Sequence, residues 1–183
     1  SADGLALKHS YGSDFPYRNT DVSWDWELEG AKMFRSLAKG GLSNVWGAAI
    51  LPVAQQDVKE WPIDYNELDE HYRKIFEFMP LSGGDNDYDG LLPTHTSSIE
   101  KFDLCEQARH VLDKSEKNKQ SLRENGILIG QSRLAADLSG NKGKPKCSKC
   151  SLCLHGCPLG LIYNSQDTLD DLGENKLLTY SPG

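Results

Sequence analysis

The sequence contains no run of about 18 apolar residues, and it therefore predicts no membrane-spanning helix. Basic charge is also scarce, because 27 Asp and Glu outnumber 20 Lys and Arg and leave a net charge of -7. Binding to nucleic-acid phosphates needs a basic surface, so this balance argues against nucleic acid as a partner. The hydrophobic fraction of 38% is low and predicts a small core.

Cysteine is scarce outside one short segment. Five cysteines are present, an odd number, and four of them fall between positions 147 and 157. This distribution favours a metal site in a reducing compartment, such as the cytoplasm, over a disulfide framework. Four lysines surround the segment, at positions 142, 144, 146 and 149. They either form a solvated loop or compensate the negative charge of the thiolates.

The residue pattern predicts an α+β fold, namely a mixed, loop-rich domain with helices and short strands. Asp64 is the expected N-cap of the best-defined helix, Glu67 completes a capping box, and Pro80 ends the helix. Residues at helical spacing give this helix one apolar face. They are Leu68, Tyr72, Ile75, Phe76 and Met79.

Two further helices and several short strands are predicted. A second helix is expected from Asp103 to about Lys114, and the charged stretch 115–125 either extends it or starts another. Its inward-facing residues are expected to be Leu104, Ala108, Val111 and Leu112. A third helix starts at Ser165 and is stopped by Gly173. Short strands are expected at 22–28, 126–130, 133–137 and 176–180.

Three aspartates alternate in the stretch 85–89, at Asp85, Asp87 and Asp89. The alternation superficially resembles a calcium-binding loop. The terminal glutamate and the spacing of an EF-hand loop are absent, which favours a solvated turn.

The clustered cysteines Cys147, Cys150, Cys153 and Cys157 follow the spacing C-x-x-C-x-x-C-x-x-x-C and precede Pro158. Two-residue gaps let successive thiolates converge on one centre, and bacterial-type ferredoxins bind iron–sulfur clusters with this run. Residues 147–158 are therefore predicted to be an embedded metal-binding loop that holds a [4Fe–4S] cluster. Zinc bound by the four thiolates is one alternative, and buried structural cysteines are another.

The fourth ligand of this site stays open. In two-cluster ferredoxins the fourth cysteine of a run serves the other cluster, and this sequence has no second run. The fourth ligand is therefore Cys157, Cys105 or a residue outside this chain. His155 lies between two of the cysteines and is expected to be an exposed neighbour rather than a ligand.

A glycine-rich loop is the second functional signal. Adjacent glycines let a backbone approach a ligand closely, and neighbouring polar side chains can hydrogen-bond the edge of a ring. Tight packing of the loop explains the same glycines. The candidate cofactor-binding residues are Gly40, Gly41, Ser43, Asn44, Trp46 and Gly47.

Three segments resemble the glucose–methanol–choline family of FAD oxidoreductases: KGGLSNVWGAAILP, EWPIDYNELDEHYRKIFEFMPLSG and GCPLGLIYNSQDTL. That family has a GGxSxxxG-type loop against the flavin, followed by a W-P-x-x-Y-x-x-L segment. The residues that match the loop are Gly40, Gly41, Ser43, Trp46 and Gly47, and those that match the second segment are Trp61, Pro62, Tyr65, Leu68 and Tyr72. Trp46 looks more like the pyranose-oxidase-like branch. The resemblance covers residues 36–84 and 147–180, about half of the chain.

The resemblance implies that residues 1–183 form a single middle segment of a larger oxidoreductase, next to its flavin and substrate. No G-x-G-x-x-G is present to hold the FAD pyrophosphate. None of the five histidines sits in a motif that matches the family's catalytic residues, so the catalytic residues are unknown. The expected partners are the remaining FAD-binding and catalytic segments of the parent chain and a small alcohol or sugar. Alone, the chain is expected to be inactive and to lack FAD.

Together these features predict a piece of an FAD-dependent alcohol or sugar dehydrogenase. The family resemblance implies hydride transfer from substrate to flavin, and the cysteine run indicates an iron–sulfur electron-transfer site. The alternative is a zinc-stabilised structural or interaction module without catalysis of its own. A third possibility is a scaffold whose cysteines remain free thiols.

Overall fold

The computed structural model describes residues 7–20, 29–30, 33–140 and 143–179. The chain divides into two compact units. The first unit comprises Ser1–Gly47 and Ser148–Gly183, and the second comprises Ala48–Cys147. The predicted α+β class is confirmed, because the described residues contain α-helices, a two-stranded parallel sheet and long irregular segments. Among these residues, no helix is both long and apolar enough to cross a membrane.

Helix α1 spans Tyr65–Phe78 and confirms the helix predicted from its capping signals. The Asp64 side chain accepts a hydrogen bond from the backbone N–H of Asn66 at 2.7 Å, which satisfies one of the free donors at the helix start. At the other end, Met79 leaves the helical conformation just before Pro80. The five residues of the predicted apolar face are all partly shielded, whereas most of their neighbours are exposed.

Helix α2 spans Glu106–Lys117, and a separate helix α3 follows at Lys119–Glu124. The prediction that Asp103 caps α2 is wrong, because Cys105 occupies the N-cap position without a side-chain hydrogen bond. Val111 was expected to face inward, but it is 53% exposed. The charged stretch 115–125 therefore extends α2 to Lys117 and then starts a new helix, so both alternatives are seen in part.

Helix α4 spans Ser165–Glu174, close to its predicted bounds. Asn164 is its N-cap, and the side chain accepts from the backbone N–H of Gln166 at 2.9 Å. Gly173 lies inside the last turn instead of stopping the helix.

The strands differ from the predicted ones. β1 (Ser82–Gly83) pairs in parallel with β2 (Glu100–Lys101), with Ser82 opposite Glu100. Within 133–137, Leu134 forms single bridges to Ala49 and Ser82 and no extended strand. No strand forms over 126–130 or over 176–179, so these predictions are wrong. The predicted strand at 22–28 lies outside the described residues.

The region 126–130 is not a strand because it completes the end of α3. Gly126 takes a left-handed φ of 73°, which turns the chain back over the helix. The N–H of Gly126 donates to Arg123 at 3.0 Å, and the N–H of Ile127 donates to Leu122 at 2.9 Å. These bonds satisfy helix carbonyls that lack a partner within the helix.

Small residues, chiefly alanines, dominate the core of the second unit. Its buried apolar residues are Ala48, Ala54, Val58, Leu81, Ala135 and Ala136. Ser82 is also fully buried, and its hydroxyl donates to the carbonyl of Ala136. The polar group is thereby satisfied inside the core.

The three alternating aspartates each take a different basic partner. Asp85 pairs with Lys101 at 2.5 Å, Asp87 with Lys119 at 2.7 Å, and Asp89 with Arg133 at 2.6 Å. Because the carboxylates serve separate ion pairs, the stretch ties together distant parts of this unit. It is a turn, as expected, but it is not fully solvated, since the Asp87 side chain is only 16% exposed.

Asp87 gives the attachment of α3 a dependence on pH. Hydrogen bonding from Lys119, with the charge of Arg123 nearby, holds the pKa of the Asp87 carboxyl below its ordinary value. A lowered pKa in the folded state contributes stability above the ordinary pKa, and that contribution is lost as the pH falls through the folded value. We therefore expect α3 to loosen from this turn when the pH falls below about 4.

Protection factors of the α3 amides at pH 6 and pH 3, which correct the exchange rates for the intrinsic effect of pH, measure this loosening. Asp87→Asn should lower the protection factors at pH 6 and remove most of their difference between the two pH values. Asp85→Asn is the matched control, because that carboxylate pairs with Lys101 outside α3. Equal pH dependence in wild type and Asp87→Asn would contradict the assignment.

Candidate functional site

The glycine-rich loop is fastened to the start of α4 within the first unit. Residues Gly41–Asn44 form a short 3₁₀ turn. The Ser43 hydroxyl lies 2.9 Å from Asn164 Oδ1 and 2.8 Å from Ser165 Oγ. The Asn164 amide donates to Asn44 Oδ1 at 2.8 Å. Both polar side chains predicted to meet a flavin therefore make their hydrogen bonds within the protein.

The first glycine of the loop is required by packing. Gly40 has a φ of 84°, in the region that favours glycine. A Cβ at this position would lie 2.6 Å from Asn164 Oδ1 and 2.9 Å from Gln166 Cβ. The fold alone thus explains Gly40.

The last glycine of the loop is not required by packing. Gly47 has no left-handed φ, and a Cβ there would meet no atom within 4 Å. Gly41 also faces open space, although its φ of 56° still favours glycine. Bare backbone at Gly47 and Gly41 leaves room for a ligand to approach the loop closely.

Trp46 is held by two hydrogen bonds within the same unit. Its indole N–H donates to the carbonyl of Tyr163 at 2.8 Å, and the two rings meet edge to face. Its carbonyl accepts from Lys8 Nζ at 2.6 Å. This fixed orientation makes Trp46 a rigid wall of the site.

The four clustered cysteines do not all lie in the same unit. Cys150, Cys153 and Cys157 belong to the first unit, and Cys147 is the last residue of the second. None of them forms a disulfide, and neither does Cys105 at the start of α2. The backbone N–H of Leu161 points at Cys157 Sγ at 3.5 Å, the kind of N–H···S bond that tunes thiolates in metal sites.

Two residues near the cysteines were not predicted from the sequence. Burial lowers the pKa of the Lys8 ammonium, and the nearby charge of Cys153 opposes that effect. Burial raises the pKa of the Tyr11 hydroxyl, and the charges of Cys157 and Cys150 raise it further. Tyr11 also donates its backbone N–H to the carbonyl of His155 at 2.8 Å. Nothing in the local sequence signals these contacts, because they join segments far apart in the chain.

The glycine-rich loop and the cysteine segment line the same concave pocket of the first unit. The pocket has a volume of about 140 Å³. Its lining includes Ser43, Asn44 and Trp46 from the glycine-rich loop and Cys153 and Cys157 from the cysteine segment. The structure thus brings together two regions that are more than 100 residues apart in the sequence.

The cysteine segment fits a thiolate-bound metal by its donor chemistry. Four thiols without disulfides, one of them receiving an N–H bond, form a soft ligand set. Within the part of the chain that the structure describes, no three Cys, His, Asp or Glu side chains are arranged to hold a metal ion. Binding would therefore require the thiols to come closer together than they are here.

Most of the histidines are exposed, as expected for residues without a matching motif. His9, His71, His110 and His155 all lie at the surface. His95 differs, because its side chain is only 5% exposed. No signal in the sequence distinguishes it from the others.

Comparison with known proteins identifies no family. No protein-family model matches the chain, and no curated protein matches it. The resemblance to glucose–methanol–choline oxidoreductases therefore rests on the three quoted segments alone.

Proposed function

We propose that this chain is a module of an FAD-dependent oxidoreductase that carries an iron–sulfur electron-transfer site. The observation that supports the proposal best is the shared pocket, which is lined by the flavin-like glycine loop and by two of the clustered cysteines. Electron transfer between two redox groups needs them to be close, and this pocket joins their candidate binding regions within one unit.

In this proposal the glycine loop lies against the flavin through its backbone. Gly41 and Gly47 supply the open approach, while Ser43 and Asn44 keep the loop in shape through their bonds to Asn164. FAD, when bound, would supply a hydride acceptor for an alcohol or sugar. The sequence has no G-x-G-x-x-G, so the pyrophosphate would be held by further segments that carry it.

Cys147, Cys150, Cys153 and Cys157 hold the metal group in this proposal. A [4Fe–4S] cluster, when bound, would supply one-electron transfer. Lys8 would offset part of the negative charge that four thiolates bring, since it interacts electrostatically with Cys153. A reducing compartment, such as the cytoplasm, would keep all five cysteines as the thiols seen here.

Metal analysis of protein purified without oxygen tests the proposal. We expect about four iron atoms and four sulfides per chain, and an electron paramagnetic resonance signal after reduction. Cys153→Ser should remove most of the iron, because it deletes one thiolate of the array. Cys105→Ser is the matched control and should keep the iron, since Cys105 is an exposed residue at the start of α2.

Other outcomes of this experiment contradict the proposal in distinct ways. Stoichiometric zinc without iron would establish the zinc-stabilised module instead. Loss of iron in Cys105→Ser together with its retention in Cys157→Ser would make Cys105 the fourth ligand. Absence of both metals would leave a scaffold of free thiols.

A further inference from the structure

A second, mostly apolar cavity lies entirely within the second unit. Its volume is about 190 Å³. An engineered apolar cavity of about 150 Å³ in another protein stays dry and binds benzene, so this one is large enough for a small aromatic molecule. Its apolar walls include Ile50, Leu51, Ile75, Phe76 and Leu81.

One wall of this cavity is a buried histidine held by a carboxylate. His95 Nδ1 lies 2.6 Å from Asp69 Oδ1 on α1. Its ring stacks on Tyr72, with ring centres 4.7 Å apart. Tyr72 is itself fixed, because its hydroxyl accepts from the backbone N–H of Val53 at 3.1 Å. The imidazole is therefore oriented on two sides.

The carboxylate determines which nitrogen of His95 carries the proton. An ionised carboxylate only accepts hydrogen bonds, so Nδ1 must be the donor. The pKa of Asp69 is lowered, first by its hydrogen bond with His95, which keeps the carboxylate ionised. In the neutral imidazole, Nε2 is then an acceptor with a free lone pair.

Two residues that line this cavity each carry a buried polar atom without a hydrogen-bond partner. These atoms are His95 Nε2, an acceptor, and Arg133 Nε, a donor. Buried polar groups without a hydrogen bond are rare because each costs free energy. His95 also has a left-handed φ of 56°, a conformation that strained functional residues often adopt. These features suggest that the cavity is built for a ligand rather than left by poor packing.

We propose that this cavity binds a small apolar molecule with a single hydroxyl group, such as a phenol. The hydroxyl donates its hydrogen to His95 Nε2, the buried acceptor that has no partner. The apolar walls take the rest of the molecule. Asp69 acts as a positioning residue that holds His95 in the accepting tautomer. The site is independent of the proposed flavin and metal function, since it needs neither cofactor.

Calorimetric titration with phenol and toluene tests the site, because the two probes differ only in the hydroxyl. Wild type should bind phenol at least about fivefold more tightly than toluene, as one added hydrogen bond allows. In ¹⁵N spectra, phenol should move the His95 Nε2 resonance upfield, as expected for a nitrogen that accepts a hydrogen bond. Toluene should leave this resonance in place.

His95→Asn is the matched variant. An asparagine amide reaches the Nδ1 position and keeps a donor for Asp69, tolerates the left-handed backbone, and lacks Nε2. The preference for phenol over toluene should disappear in this variant. Equal affinity of wild type for the two probes, binding of neither, or phenol binding without a shift of Nε2 would each overturn the proposal. The spectrum of wild type decides the matter even if the variant does not fold.

Discussion

Gly40→Ala is expected to destabilise the start of α4 by about 2–3 kcal/mol. An alanine in the left-handed region costs about 1–2 kcal/mol relative to glycine. Its Cβ would also displace the Asn164 side chain, from which it would be only 2.6 Å away. Loss of this N-cap costs about a further 1 kcal/mol. The effect should be local, because the strained contact involves only the loop and the first turn of α4.

Amide exchange at Ser165 and Gln166 measures the loss, since their N–H groups donate to Ser43 Oγ and Asn164 Oδ1. We expect exchange there to rise roughly 30- to 150-fold in Gly40→Ala. Gly47→Ala is the control, because a Cβ there meets open space and the residue has no left-handed φ. Its exchange should change by less than about threefold. Equal effects in the two variants would contradict the packing role of Gly40.

The sequence predicted those elements whose boundaries are determined locally. Asp64 and Pro80 lie next to the ends of α1, and both ends were identified correctly. The start of α2 was misplaced, because Cys105 is not a residue type that favours an N-cap. The apolar stretch 126–130 looked like a strand, but the N–H groups of Gly126 and Ile127 are used to complete the end of α3. The sequence of a short apolar run does not show which carbonyl groups its N–H groups will bind in the folded chain.

The sequence predicted which residue types form the candidate site, but it did not predict the hydrogen bonds between distant segments. The cysteine spacing and the adjacent glycines are local patterns, so both were found. The bonds between Ser43 and Asn164 join positions 121 residues apart, and they give Ser43 a structural role that the motif did not suggest. His95 and Asp69 are 26 residues apart, and only the folded chain pairs them. Local sequence cannot distinguish such a buried pair from two surface residues.

Arg133→Met is expected to destabilise the second unit by about 1–3 kcal/mol, because it leaves the Leu92 carbonyl and the Asp89 carboxylate without their donor. The Arg133 side chain is 2% exposed. It donates to the Asp89 carboxylate at 2.6 Å and to the Leu92 carbonyl at 2.5 Å, and its guanidinium lies 5.0 Å from the ring centre of Tyr88. Methionine fills similar space but has no donor. The carboxylate and the carbonyl would therefore both lose a charged partner.

Arg123→Met is the matched control, because Arg123 also pairs with an aspartate but is 52% exposed. Exposed pairs contribute about 0–1 kcal/mol, so this variant should stay within that range. Hydrogen exchange of the Ser82 and Leu134 amides at increasing urea concentration measures the stability of the second unit in each variant. These two amides donate to each other's carbonyls within that unit. Equal losses of unfolding free energy in Arg133→Met and Arg123→Met would contradict this prediction. They would show that burial does not strengthen the interactions of Arg133.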